Sequence, residues 1–294
     1  MRAPAIRALG ILTGNRESAD GGSAGASSRE SADGGSAGAS SRESADGGSA
    51  GAISGPPQMK VLTLARPDRP GDRFRRATRE CLLALAAVDA MLEDGKAPRE
   101  AIAGERTALL YVTAAAYGAS NREFIERRGG VTHFAYTAPA VVPAEVAIEY
   151  GVTGAYGILI GGAPATLRAI EQAARLLEHG TCDRALLLAV EIFEECADLY
   201  ACHRRFTRWP LVETAACLWL ERGEGELRFE SVRGGAAGPA ARGGERFAAG
   251  PLADLREWLD RASDGPLELS GRWRGERARL RWNMLTSHPR GSAA

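Results

Sequence analysis

The 294-residue chain carries 37 Lys and Arg against 37 Asp and Glu, a formal net charge of zero, with 45% hydrophobic residues. These are ordinary values for a soluble globular protein, and they give no electrostatic reason to expect nucleic acid or an anionic membrane as a partner. Its basic charge is almost all arginine, Lys60 and Lys96 being the only lysines, and its even spread reads as a compositional habit rather than a binding site. Cys81, Cys182, Cys196, Cys202 and Cys217 are odd in number, scattered and mostly within apolar runs. That pattern predicts buried thiols in a reducing compartment, with no disulfide framework and no metal site. The first residues lack the apolar run of a signal peptide, and no window approaches a membrane span, so the expected location is cytoplasmic.

Ala5 to Thr13 reads as a first strand, so residues 1–15 open the domain. From Arg16 the sequence RESADGGSAGASS repeats at Arg29 and, shortened, at Arg42. A thirteen-residue block without a large apolar residue has nothing to bury, so 16–58 is expected to be a flexible insert. The core is expected over 59–225. Phe74, Ala77, Cys81, Leu85, Val88 and Leu92 fall at spacings of three and four, one face of a helix. Thr107 to Thr113 is a buried strand, and Ser120-Asn-Arg-Glu123 is a capping-box pattern opening a short helix. Pro143 suits a first helical position, with Gly151 as the stop. Tyr156 to Ile160 is an apolar strand running into Gly161-Gly162-Ala163-Pro164. A strong helix follows to His179, with Leu167, Ile170, Ala174 and Leu177 as its apolar stripe and Gly180 closing it. Ala185 to Glu191 and Ala215 to Leu220 are further buried strands. In the remainder, 226–294, strands at Leu227–Val232, Leu267–Trp273 and Ala278–Met284 and a helix at Leu252–Ala262 complete or flank the core. Alternating strands and amphipathic helices imply an α/β class, a layered α-β-α domain with a mixed sheet.

The run from about residue 100 to 222, most closely Gly151 through Glu221, resembles the β-ketoacyl synthases. In that family a short helix ends in a Tyr/Leu-Gly pair, a strand enters an Ala-Cys-Ser elbow, and a long helix ends in a Gly-x-Cys/Ala-Asp turn. The corresponding residues are Glu149-Tyr150-Gly151, Tyr156 to Gly162, Pro164 to His179 and Gly180-Thr181-Cys182-Asp183. Pro210 to Ala216 is similar to the family's Glu-Gly-Ala-Ala segment. The resemblance implies the thiolase fold and places Ala163 at the position of the nucleophilic cysteine, with Gly161, Gly162 and Pro164 as the elbow. A helix N-terminus lowers a thiol's pKa, but Ala163 has no nucleophilic atom. The family's two histidines come from a second half for which this chain has too few residues, and Thr286-Ser-His-Pro289 does not replace them. The resemblance therefore implies a chain-length-factor-like, non-catalytic subunit without a cofactor. It would pair with an active ketosynthase and meet an acyl carrier protein. It also implies dimerisation through the strand bearing Tyr156, Ile158 and Ile160, although as a bare pattern that strand reads equally as central core.

Two other readings stay open. A free-standing acyl-thioester decarboxylase or hydrolase would need Cys196, Cys202 and His203, or Glu191, Glu194 and Glu195, to line a pocket. The bland expectation for these glutamates is a solvated strand end, and Cys-x5-Cys-His matches no common zinc spacing. The other alternative is a homodimeric acyl-binding module.

Overall fold

The computed structural model describes residues 1–17, 60–126, 131–197, 209–233, 244–261 and 265–284. The strands are β1 (Ala5–Thr13), β2 (Arg16–Glu17), β3 (Val61–Thr63), β4 (Thr107–Thr113), β5 (Tyr156–Ile160), β6 (Arg184–Glu191), β7 (Leu211–Val212), β8 (Thr214–Glu221), β9 (Gly225–Arg233), β10 (Leu267–Trp273) and β11 (Glu276–Met284). The helices are α1 (Arg79–Asp94), α2 (Gly118–Ile125), α3 (Val141–Tyr150), α4 (Ala163–Glu178) and α5 (Gly250–Asp260).

Five strands form a mixed sheet in the order β1-β8-β6-β4-β5. β5, β4 and β6 are mutually parallel, whereas β8 runs antiparallel to β6 and to β1. Every residue of β4 is buried, because helices cover both faces of the sheet. The period-2 alternation sorts its side chains. Ala108, Leu110 and Val112 join Leu167, Ile170 and Ala174 of α4 in one core, while Leu109 and Tyr111 join Leu85, Val88 and Met91 of α1 in the other. The same split runs through β6, with Leu187 on the α4 side and Leu186 and Leu188 on the α1 side. The layered α-β-α arrangement with a mixed sheet is therefore the one the sequence implies.

β9, β10 and β11 make a second, antiparallel sheet in the order β10-β11-β9. Its inner face, with Leu227, Leu267, Leu269, Leu280 and Trp282, packs into the α4 core. The Trp282 indole N–H donates to the Pro4 carbonyl at 3.1 Å, tying this sheet to the start of the chain. A third, small sheet joins β2, β3 and β7. The repeats from residue 18 to 52 lie outside the described residues.

Several local expectations need correction. The apolar spacing from Phe74 to Leu92 is not one helix. A 3₁₀ turn covers Asp72–Arg76, and extended Ala77 and Thr78 separate it from α1. The capping box at Ser120 does not form, because α2 begins two residues earlier. Ser120 is buried, and its hydroxyl donates to the Glu80 carboxylate at 2.5 Å. α3 begins at Val141, so Pro143 is its third residue, still within the turn where a missing N–H costs nothing. Gly151 does end α3, in the left-handed region at φ 67°, where glycine carries no Cβ penalty. β5 is not a central strand; it is the edge of the main sheet beyond β4.

Candidate active-site elbow and its covering

Gly161 and Gly162 turn β5 into α4. The Gly161 N–H still donates to the Thr113 carbonyl at 2.9 Å, continuing the β4–β5 ladder. Gly162 is the N-cap of α4 in extended conformation, Ala163 is the first helical residue, and Pro164 occupies the first turn. Leu167, Ile170, Ala174 and Leu177 all lie in the buried face of this strongly amphipathic helix. Its far end is fixed by the Gly180–Asp183 turn. The Arg106 guanidinium forks onto the Asp183 carboxylate at 2.7 and 3.1 Å and also donates to the Gly180 carbonyl. Cys182 in this turn is buried.

The elbow is covered by strand β10. A Cβ on Gly162 would fall 2.6 Å from the Trp273 ring, and a Cβ on Gly271 would fall 2.4 Å from the Cβ of Ala163. Close packing thus requires both Gly162 and Gly271. Trp273 packs edge-on to Phe247 (centroids 4.8 Å apart), and Phe247 packs edge-on to Phe193 (5.0 Å). Phe247 holds φ at 45°, a strained conformation for a bulky residue. An aromatic wedge and a main-chain strand therefore occupy the space over the N-terminus of α4.

The glutamates following β6 separate into different roles. Glu191 is not a solvated strand end; it is wholly buried. One carboxylate oxygen accepts the N–H groups of Ala114 (2.6 Å) and Ala248 (3.2 Å), and the other accepts that of Ala115 (2.9 Å). It thereby pins the end of β4 and the loop bearing Phe247 to the end of β6. Burial pushes its carboxyl up to about 8 despite these donors. Glu195 forks with Arg79 at 2.7 and 2.9 Å, and Glu194 sits 3.7 Å from the same guanidinium.

The principal partner of Arg79 is Glu213, a residue the sequence reading passed over within Pro210 to Ala216. The two are 2.6 and 2.7 Å apart across two contacts. Glu213 also accepts the N–H groups of Leu64, Phe193 and Glu194. Burial alone would raise its carboxyl, but Arg79 and these donors outweigh burial and hold it low. The only early signal was an acid preceding an apolar strand, which by itself has no direction.

Cys196 is buried, with its sulfur beside Gly118; Cys202 and His203 lie outside the described residues. Cys81 and Cys217 are also buried, and burial pushes the Cys81 thiol up to about 12. The described residues bring together no nucleophile–base pair at the elbow. They also contain no group of three metal-ligating side chains, and no described helix is long and apolar enough to cross a membrane.

Residues 68–206 match the family model of the beta-ketoacyl synthase N-terminal domain. Over that stretch the chain is similar to the ketosynthase N-terminal domain, and its fold is thiolase-like. The matched stretch contains the elbow and both of its flanking elements. Among solved structures, the ishigamide ketosynthase/chain length factor superposes with a TM-score of 0.61 at 15% identity, over 76% of this chain and 87% of that one. A beta-ketoacyl synthase from Burkholderia phymatum STM815 gives 0.58 at 14%, over 77% and 88%. The ketosynthase in complex with its chain length factor from Xenorhabdus doucetiae gives 0.52 at 16%, over 74% and 83%. No curated protein sequence matches the chain. This ketosynthase-like chain thus keeps the strand, elbow and helix of the fold with alanine as the first helical residue.

Proposed function

We propose that this chain is a non-catalytic, chain-length-factor-like subunit that pairs with an active ketosynthase and meets an acyl carrier protein. The observation that carries the proposal is the elbow itself. Ala163 has no nucleophilic atom, and Gly271 and Trp273 of β10 stand against the turn. No acyl-enzyme can form on Ala163, so on this reading the role of the fold lies in what it contacts. Pairing would use β5. This edge strand leaves one side without a strand partner among the described residues, and Tyr156 and Ile160 are 48% and 52% exposed. An edge with apolar side chains is a template for strand addition. Two of the similar structures are described as a ketosynthase with a chain length factor, and a third as a type II polyketide-synthase carrier protein with its ketosynthase.

Co-expression of the full chain with candidate ketosynthases, followed by native mass spectrometry and product analysis, tests the reading. The expected result is a heterodimer that Ile160→Glu with Tyr156→Lys disrupts, without lowering the melting temperature of the isolated chain. Absence of any complex and of any change in product length would overturn it, as would an acyl adduct on this chain alone.

A further inference from the structure

Strand β9 is an edge of the second sheet, and only part of that edge is covered. The Leu227 N–H donates to the Met1 carbonyl at 3.1 Å, and the Gly225 carbonyl accepts the Ala3 N–H at 3.3 Å. Residues 1–3 thus begin an antiparallel ladder on β9, with Arg2 opposite Glu226. In an antiparallel strand the N–H and C=O of one residue point to the same side, and the side alternates along the chain. Phe229 and Ser231 therefore turn theirs to the same edge as Gly225 and Leu227, while β11 pairs along the other side without a bulge. Among the described residues nothing bonds the main chain of Phe229 or Ser231 on the edge side. A groove of about 450 Å³ lies beside this open stretch. Its walls are Leu227 to Glu230 on β9 and Glu171, Arg175 and Glu178 on α4, with Met1 where the ladder stops.

The charges around the groove are unequal. Arg175 is engaged by Glu171 at 2.6 Å, and Arg228 by Glu226 at 2.7 Å. Glu178 accepts the Arg2 main-chain N–H at 3.3 Å, and neither it nor Glu230 forms an ion pair among the described residues. Arg2 and Arg222 line a second hollow that shares Glu178, but neither guanidinium comes within ion-pair distance of that carboxylate. Half-buried Phe229 packs against the α4 core and gives the groove an apolar floor.

We infer that this groove docks a basic, extended segment of a partner protein, which adds to β9 as a strand in line with residues 1–3. An uncovered edge is a template for strand addition, in which main-chain bonds supply affinity and alternate side chains supply selectivity. From Phe229 to Arg233 the edge runs about 13 Å at about 3.3 Å per residue, room for about four residues. Successive side chains of the added strand point to opposite faces. Two adjacent lysines or arginines therefore meet Glu178 on the α4 side and Glu230 on the outer side. The inference does not depend on pairing through β5, which belongs to the other sheet.

The test is fluorescence anisotropy of the full chain with a labelled peptide, Gly-Thr-Val-Lys-Arg-Val-Thr-Gly. Two further forms are N-methylated at every second residue, one in each register. The parent peptide is expected to bind, and the form methylated on its sheet-facing N–H groups to bind about ten-fold more weakly. Ser231→Pro removes an N–H that is unbonded in the structure, and proline is tolerated on an edge strand. It should weaken the parent peptide about ten-fold while the chain stays folded by circular dichroism. Glu178→Gln with Glu230→Gln should weaken binding about three-fold and flatten its salt dependence, with no loss of melting temperature. No binding of the parent peptide, both methylated forms binding as tightly as the parent, or unchanged affinity in both variants would each overturn the proposal. So would a dimer of the chain alone, in native mass spectrometry, that Ser231→Pro dissolves, because a second copy would then cover β9.

Discussion

At the scale of single residues, the sequence conveys which positions are apolar far better than where an isolated acid points. Glu191 and Glu213 sit at strand ends, where the expected environment is water, and both are wholly buried. Their partners come from segments remote in sequence, the N–H groups of Ala114 and Ala248 for Glu191 and the Arg79 guanidinium and Leu64 N–H for Glu213, which no local pattern encodes. The consequence for Glu191 is testable. Its folded-state carboxyl titrates near 8, above the ordinary value of about 4.3 for an unfolded chain. Between those values the folded protein holds a proton that the unfolded chain has released, so the contribution of Glu191 to stability falls as pH rises through that window. Glu191→Gln mimics the protonated form. Its melting temperature relative to the parent should therefore rise steadily from pH 5 to pH 8 in calorimetric scans; a flat difference would show that Glu191 is ionised in the fold throughout.

At the scale of elements, strands and amphipathic helices were legible because their periodicities are strong, whereas their borders and neighbours were not. α4 and its stripe follow directly from Leu167, Ile170, Ala174 and Leu177. The edge position of β5 was hidden, since Tyr156 to Ile160 is as apolar as a central strand and only the topology exposes it. The cover on the elbow was equally invisible. Gly271 lies more than a hundred residues beyond Ala163, within a hairpin whose own pattern shows only that one face is buried. Gly271→Ala should destabilise the fold by about 1–3 kcal/mol in urea unfolding, because its methyl group has no room against the Ala163 methyl. Ala163→Cys should alkylate slowly for a helix-end thiol and show no condensation on its own. Rapid alkylation together with ketosynthase turnover by the isolated variant would show that β10 does not cover the site.

At the scale of the whole molecule, the core is sewn from both ends of the chain, since β1 pairs with β8 and Pro4 accepts the Trp282 indole N–H. The long segment after β2 interrupts this arrangement without separating its flanks, because Arg16 and Glu17 pair with Thr63 and Leu62. A connection between paired neighbours can be shortened at small cost. Replacing residues 18–59 with a turn of about eight residues should raise stability by about 1 kcal/mol through reduced loop-closure entropy, measured by chemical denaturation. A loss of stability would mean that the repeats contact the fold. The contact between Gly271 and Ala163 also bears on descent. On the proposed reading, in which Ala163 stands at the family's nucleophile position, a cysteine placed there would still meet Gly271, and room opened there without a cysteine would bring no activity. Neither step alone would be rewarded by selection, so under that reading a loss of chemistry at this elbow would act as a ratchet.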